Sequence, residues 1–145
     1  MASHSDKFLD ADEIYNIVLK ILAVTVLIDH REKDRELIEF THAAMLHNHH
    51  LRPGVMLSRT MIIDWFHTHK AEITAQIDND KNDSFKSELL AQIRDMALQR
   101  RLLSSIFTIA VCDYELHDEE SDFIKRSLKI WKTHMPTPSE IEAVA

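Results

Sequence analysis

Twice in this chain an apolar helical segment stops abruptly at an aspartate and a new amphipathic segment starts a few residues later. The first runs from Ile17 to Ile28 into Asp29, and the second runs from Leu102 to Cys112 into Asp113. Displacing the chain by 84 residues lays Asp29 on Asp113, Asp34 on Asp118 and Glu36 on Glu120, and it brings Leu22 onto Ile106 and Phe40 onto Ile124. The first segment, interrupted by Lys20 and Thr25, falls short of the ~20 apolar residues that cross a bilayer, so it reads as a buried helix. Each copy then has the same order of buried helix, acidic turn and amphipathic helix. The pattern predicts a duplicated helical hairpin, its copies packed about a pseudo-two-fold axis with the middle helices completing a bundle.

One glycine and three prolines leave little material for hairpin turns, while Leu, Ile, Ala, Glu and Lys favour helix. The expected fold is all-α, a compact helical bundle of about six to seven helices. Asp10 with Glu13 has capping-box spacing ahead of the first helix, and Asp34 is placed to cap a second that ends near Asn48. Ser58 is placed to cap a third, and Asp78 to Asp83 reads as a polar loop. From Ser84 to Cys112 the helical pattern breaks near Gln99 to Arg101, where Arg100 interrupts the apolar seam. A last helix runs from Asp118 to about Thr133, ended by Pro136 and Pro138. Residues 1–9 are expected to be loose, 10–134 to form a single domain and 135–145 to be a tail.

The net charge of -7 argues against nucleic-acid binding, which rests on clustered Lys and Arg neutralising phosphates. One cysteine cannot form an internal disulfide, and the first residues lack the pattern of a secretory signal, so a reducing cytoplasm is the expected location. Cys112 reads as a small core residue rather than a nucleophile.

The acidic turns carry the chemistry. Asp29 and Asp113 each fall at the carboxyl end of a helix, where unpaired carbonyls disfavour an acid by a few tenths to ~1 kcal/mol. Two compensations fit. In one, the Asp accepts turn N–H groups while Asp34 or Asp118 caps the next helix and Glu36 or Glu120 favours its first turn. In the other, Asp29, Glu36, Asp113 and Glu120, with Asp34 and Asp118 in secondary positions, are hard oxygen ligands for Ca²⁺, Mg²⁺ or Mn²⁺. Brought together without a cation, these carboxylates would raise each other's pKa values.

The two segments, Ile21 to Asp29 with Glu36 seven residues on and Ile106 to Asp113 with Glu120 seven on, resemble the paired signature of the TerB-like (tellurite resistance) family. The resemblance spans roughly Asp10 to Thr133. It implies an all-helical fold of two such hairpins and a non-catalytic role in tellurite resistance or another stress system. It also implies a protein partner within membrane-linked or metal-sensing complexes, with no transmembrane segment of its own, and it places Asp29, Glu36, Asp113 and Glu120 at the family's acidic positions. Where that family has glycine after the aspartate, this chain has His30 and Tyr114.

Other constellations compete. Glu39 and His42 have the Glu-x-x-His spacing of carboxylate-bridged di-iron bundles, and Asp64 with His67 is a shorter-armed variant, so a metalloenzyme on a helical bundle is the alternative function. A metal-free scaffold is a third reading. His47, His49 and His50 suit a helix carboxyl end as cations or solvated groups better than a zinc site, because no cysteine joins them. Asp78 to Ser84 resembles half an EF-hand loop but lacks the turn glycine and the closing Glu, and reads as a capped loop. Trp65, Phe66 and Trp131 are expected in the core or at its boundary, with a partner-binding groove as the alternative.

Overall fold

The computed structural model describes residues 9–31, 33–112 and 116–133. They form six helices, α1 (Ala11–Leu27), α2 (Asp34–Leu51), α3 (Arg59–Asp78), α4 (Ser84–Ala91), α5 (Met96–Val111) and α6 (Asp118–Ile130), with no strand among the described residues. The all-α bundle expected from the composition is the architecture found.

The nearly all-round apolar character of the first segment decides where it goes. A helix apolar on every side has no solvent face, so it must be surrounded. Helix α1 packs against α2, α3, α4 and α5, and every residue from Ile21 to Leu27 is buried. The two polar groups this costs are satisfied: Thr25 donates to the Ile21 carbonyl at 3.0 Å, and the Tyr15 hydroxyl donates to the Ala44 carbonyl of α2 at 2.7 Å. Burial pushes the Tyr15 phenol up to about 12, with nearby Arg52 pulling the other way. The expected capping box starts α1, with Glu13 N–H donating to Asp10 Oδ1 at 2.8 Å and Asp10 N–H to Glu13 Oε1 at 3.3 Å. Among the described residues, no helix is long and apolar enough to cross a membrane.

The boundaries differ from expectation in four places, each for a local reason. Helix α2 runs one turn past Asn48 to Leu51, because the Asn48 side chain is drawn inward and bridges Arg52 and the Val55 carbonyl. The break in the Ser84 to Cys112 stretch falls between Ala91 and Met96 rather than near Arg100. Asp95 sets it by accepting the Leu98 N–H at 2.8 Å, an N-cap of the kind worth ~1 kcal/mol. Helix α6 ends before the prolines, which lie outside the described residues: Lys132 turns left-handed at φ 49°, and the Thr133 N–H reaches back to the Leu128 carbonyl at 3.0 Å. That is a Schellman closure, which needs no proline. Finally, α2 and α6 take Lys33 and His117 as N-caps, so Asp34 and Asp118 are first helical residues instead of caps.

Leu22, Phe40 and Ile106 are wholly buried and Ile124 nearly so, which packs the helices flanking each acidic segment against one core. Phe66 and Trp131 join that core, the Trp131 indole N–H donating to the Leu90 carbonyl at 2.8 Å. Trp65 sits half-buried at its edge, stacked on His69 at 4.3 Å between ring centres. Cys112 is half-buried rather than a core residue. Its carbonyl, at the carboxyl end of α5, accepts a hydrogen bond from Arg35 of α2 at 3.2 Å, a cation placed where the helix dipole favours one.

Candidate metal centre between the acidic turns

The turn after α1 is shaped by its aspartate. Asp29 Oδ1 accepts the Arg31 N–H at 2.9 Å, the local bond that lets an Asx turn end a helix. His30 then takes a left-handed conformation at φ 60°, in the place where a glycine would suit. Its ring is tied to Asp78 at the end of α3, Nε2 to Oδ1 at 2.6 Å. Left-handed backbone costs a non-glycine residue ~1–2 kcal/mol, against ~0.5–1 kcal/mol of extra chain entropy for glycine. His30→Gly should therefore be more stable than His30→Ala by about 0.5–1 kcal/mol in urea unfolding, since both lose the Asp78 contact. An alanine variant as stable as the glycine variant would mean that this turn is not left-handed in solution.

The second oxygen of Asp29 is turned inward. Its Oδ2 lies 3.5 Å from His117 Nε2, in an aspartate side chain only 2% exposed. His117 precedes α6, and Glu120 three residues on reaches back so that Oε1 accepts the His117 N–H at 3.2 Å. One ligand atom each from Asp29, His117 and Glu120 lies within 4.8 Å of the others, and among the described residues this is the one place where three such groups converge so closely. Glu36, 0% exposed on α2, meets Glu120, 1% exposed on α6, carboxyl to carboxyl.

The electrostatics follow from burial. The Glu120 carboxyl is held above its ordinary value of 4.5, first because it is buried and then because Asp29 repels its charge. The hydrogen bond with Glu36, the His117 N–H and the His117 ring oppose that rise only in part. Asp29 Oδ2 is buried with no hydrogen-bond partner among the described residues, and the inner oxygen of Glu120 faces the Glu36 carboxyl. Buried charged oxygens normally find a donor or an ion, since leaving one unmet costs ~1–3 kcal/mol or more. The donor set therefore fits a divalent cation, with carboxylates from both turns and one imidazole.

The sequence-derived candidates fare as follows. Asp29, Glu36 and Glu120 come together from two turns 84 residues apart. Asp113 lies outside the described residues, as does Tyr114. Asp34 and Asp118 stand exposed on the first turns of α2 and α6, outside the cluster. His117 joins the cluster although neither the acid spacing nor the resemblance pointed to it. Its signal was its position three residues before Glu120, the spacing of a capping pair.

No family model, no curated protein and no solved structure matches this chain. Its site must be read from its own geometry.

The rival constellations are placed as well. Glu39 and His42 are 3.9 Å apart at a groove between α2 and α5, without a third ligand group close by among the described residues, and Asp64 and His67 are exposed on α3. Asp80 of the EF-hand-like loop is used as a cap, accepting the N–H groups of Phe85 and Lys86 at 2.8 and 3.3 Å. Of the histidines ending α2, His49 and His50 are exposed to solvent as expected, and His47 is not. His47 is wholly buried, its Nε2 2.9 Å from Ser105 Oγ of α5, and burial, then the charge of Arg101 and then His50, push it down to about 3. His50, exposed, is also lowered, by its partial desolvation and then by Arg101. The extra turn of α2 explains the difference: it continues the helix beyond His47 and keeps that residue facing α5.

Proposed function

We propose that the chain is a TerB-like, non-catalytic helical module that takes up a divalent cation where its two acidic turns meet. The observation that carries this reading is Asp29 Oδ2, a buried oxygen that lacks a hydrogen-bond partner among the described residues and lies beside the His117 ring and the Glu120 carboxyl. The matched hairpins support it. Glu36 and Glu120 are both the third residue of their helices and both buried, and the core positions they accompany, Leu22 with Ile106 and Phe40 with Ile124, are buried in pairs. That is the arrangement expected of a duplicated unit whose two acids face one another. The setting in a stress response such as tellurite resistance is carried by the resemblance of the turns alone.

A metal-free scaffold is the second reading, favoured by the bonds that Asp29 Oδ1 and Glu120 Oε1 already accept from Arg31 and His117. Thermal unfolding in EDTA, then with Ca²⁺, Mg²⁺, Mn²⁺ or Zn²⁺, separates the two. An ion at ~100 times its Kd adds about 2.7 kcal/mol to the folded state, which for a domain of this size raises Tm by several degrees. No shift with any of the four ions would leave the scaffold reading standing.

A further inference from the structure

We infer that His117 sets the class of ion this site takes, selecting a borderline first-row metal of the Zn²⁺ type over Ca²⁺ and Mg²⁺. The inference rests on the cation reading above. It starts from the one cluster member that is not a carboxylate. Oxygen-only sets suit hard cations, and Ca²⁺ takes six to eight oxygens at ~2.3–2.6 Å while Mg²⁺ keeps several waters in an octahedral shell. A neutral imidazole nitrogen adds little for either ion but is a good ligand for Zn²⁺ at ~2.0–2.1 Å.

The geometry points the same way. Two ligands of a tetrahedral site with bonds of ~2.1 Å stand roughly 3.3–3.5 Å apart, and Asp29 Oδ2 and His117 Nε2 are already 3.5 Å apart. Glu120 completes a triad within 4.8 Å, and Glu36 touches Glu120 from the facing helix. Three protein ligands are thus at hand, as in a four-coordinate ion that keeps one position open. The carboxylates are 0% to 2% exposed, so the several waters that Mg²⁺ retains have little room. Asp29 and Glu120 are fixed by the turn and cap bonds of their outer oxygens, which positions the inner ones as ligands without rearranging either helix.

The test is equilibrium dialysis of the full chain with ZnCl2, MnCl2, CaCl2 and MgCl2 at neutral pH. His49 and His50 are exposed with ring centres 5.8 Å apart and would compete for zinc, so both are replaced by Gln throughout. The expected result is Zn²⁺ bound at least ~100-fold more tightly than Ca²⁺, with Mn²⁺ between them in the usual affinity order. His117→Asp should cut that preference at least tenfold, to roughly 10-fold or below, by weakening Zn²⁺ while keeping or improving Ca²⁺. His117→Gln, which keeps a neutral polar side chain ahead of α6, should cut it as well and serves if the aspartate variant does not fold. A Zn²⁺-to-Ca²⁺ ratio unchanged by both substitutions would overturn the role of His117 and leave the cation site intact. Absence of binding by every ion would instead remove the cation reading itself.

Discussion

Lowering the pH from 7.5 to 5 is expected to remove about 2 kcal/mol of stability through His47, at ~1.36 kcal/mol per pKa unit. His47 titrates at 6.5 in the unfolded chain but is pushed down to about 3 in the folded one. Its ring stays neutral when folded, wedged between α2 and α5 with Ser105 on Nε2, while below pH 6.5 the unfolded chain gains a proton. The unfolded state binds more protons in that window, so stability is fully present above pH 6.5 and is lost as pH falls toward 3. His50 acts in the same direction, being lowered too, but it is exposed. Glu120 acts oppositely, because a carboxyl raised in the folded state gains stability as pH falls through its folded value. The contribution of His47 is therefore read as a difference. His47→Gln keeps an amide near the Nε2 position to bond Ser105 but cannot be protonated, so urea unfolding of this variant should show a pH 7.5 to 5 loss about 2 kcal/mol smaller than wild type. An equal loss in both proteins would show that His47 is solvated and titrates normally.

Residues whose environment is dictated by periodicity were legible in the sequence, and residues whose environment depends on a helix boundary were not. The all-round apolar run ending at Ile28 could only be a central helix. The N3 glutamates, Glu36 and Glu120, were found because an 84-residue displacement superposes them. The same displacement lays His117 on Lys33, so a comparison built to find matching acids passes over it. The misplaced break near Arg100 has a similar origin. With no glycine or proline nearby, the stop was fixed by Asp95, one acid among 24 acidic residues in the chain, and only its bond to the Leu98 N–H distinguishes it. His47 was misread for want of one turn: a helix ending at Asn48 would place it at a frayed, solvated end, whereas a helix ending at Leu51 keeps it against α5.

Burial and like charge make the Asp29, His117 and Glu120 cluster a point of stored instability. In EDTA, Glu120→Gln is expected to unfold at higher urea than wild type, by about 1–3 kcal/mol, the range that a poorly satisfied buried polar group costs. Gln keeps the Oε1 acceptor for the His117 N–H and presents an amide N–H to Glu36, so the fold of the α6 start is retained. What it removes is a carboxyl that burial and Asp29 hold above 4.5. Wild type loses stability as pH rises from 4.5 through that raised value, because the folded state must give up a proton it holds more tightly than the unfolded chain does. The variant lacks this loss, so its advantage should vanish near pH 4 and be full at pH 8. With a saturating ion that advantage shrinks or reverses: wild type gains the ~2.7 kcal/mol of a ligand at ~100 times its Kd, while the variant, one charged ligand short, gains little. A variant less stable than wild type in EDTA would mean that the Glu36 and Glu120 carboxyls share a proton comfortably and that the cluster is a settled piece of core. A variant more stable in EDTA that still responds fully to the ion would place the cation elsewhere.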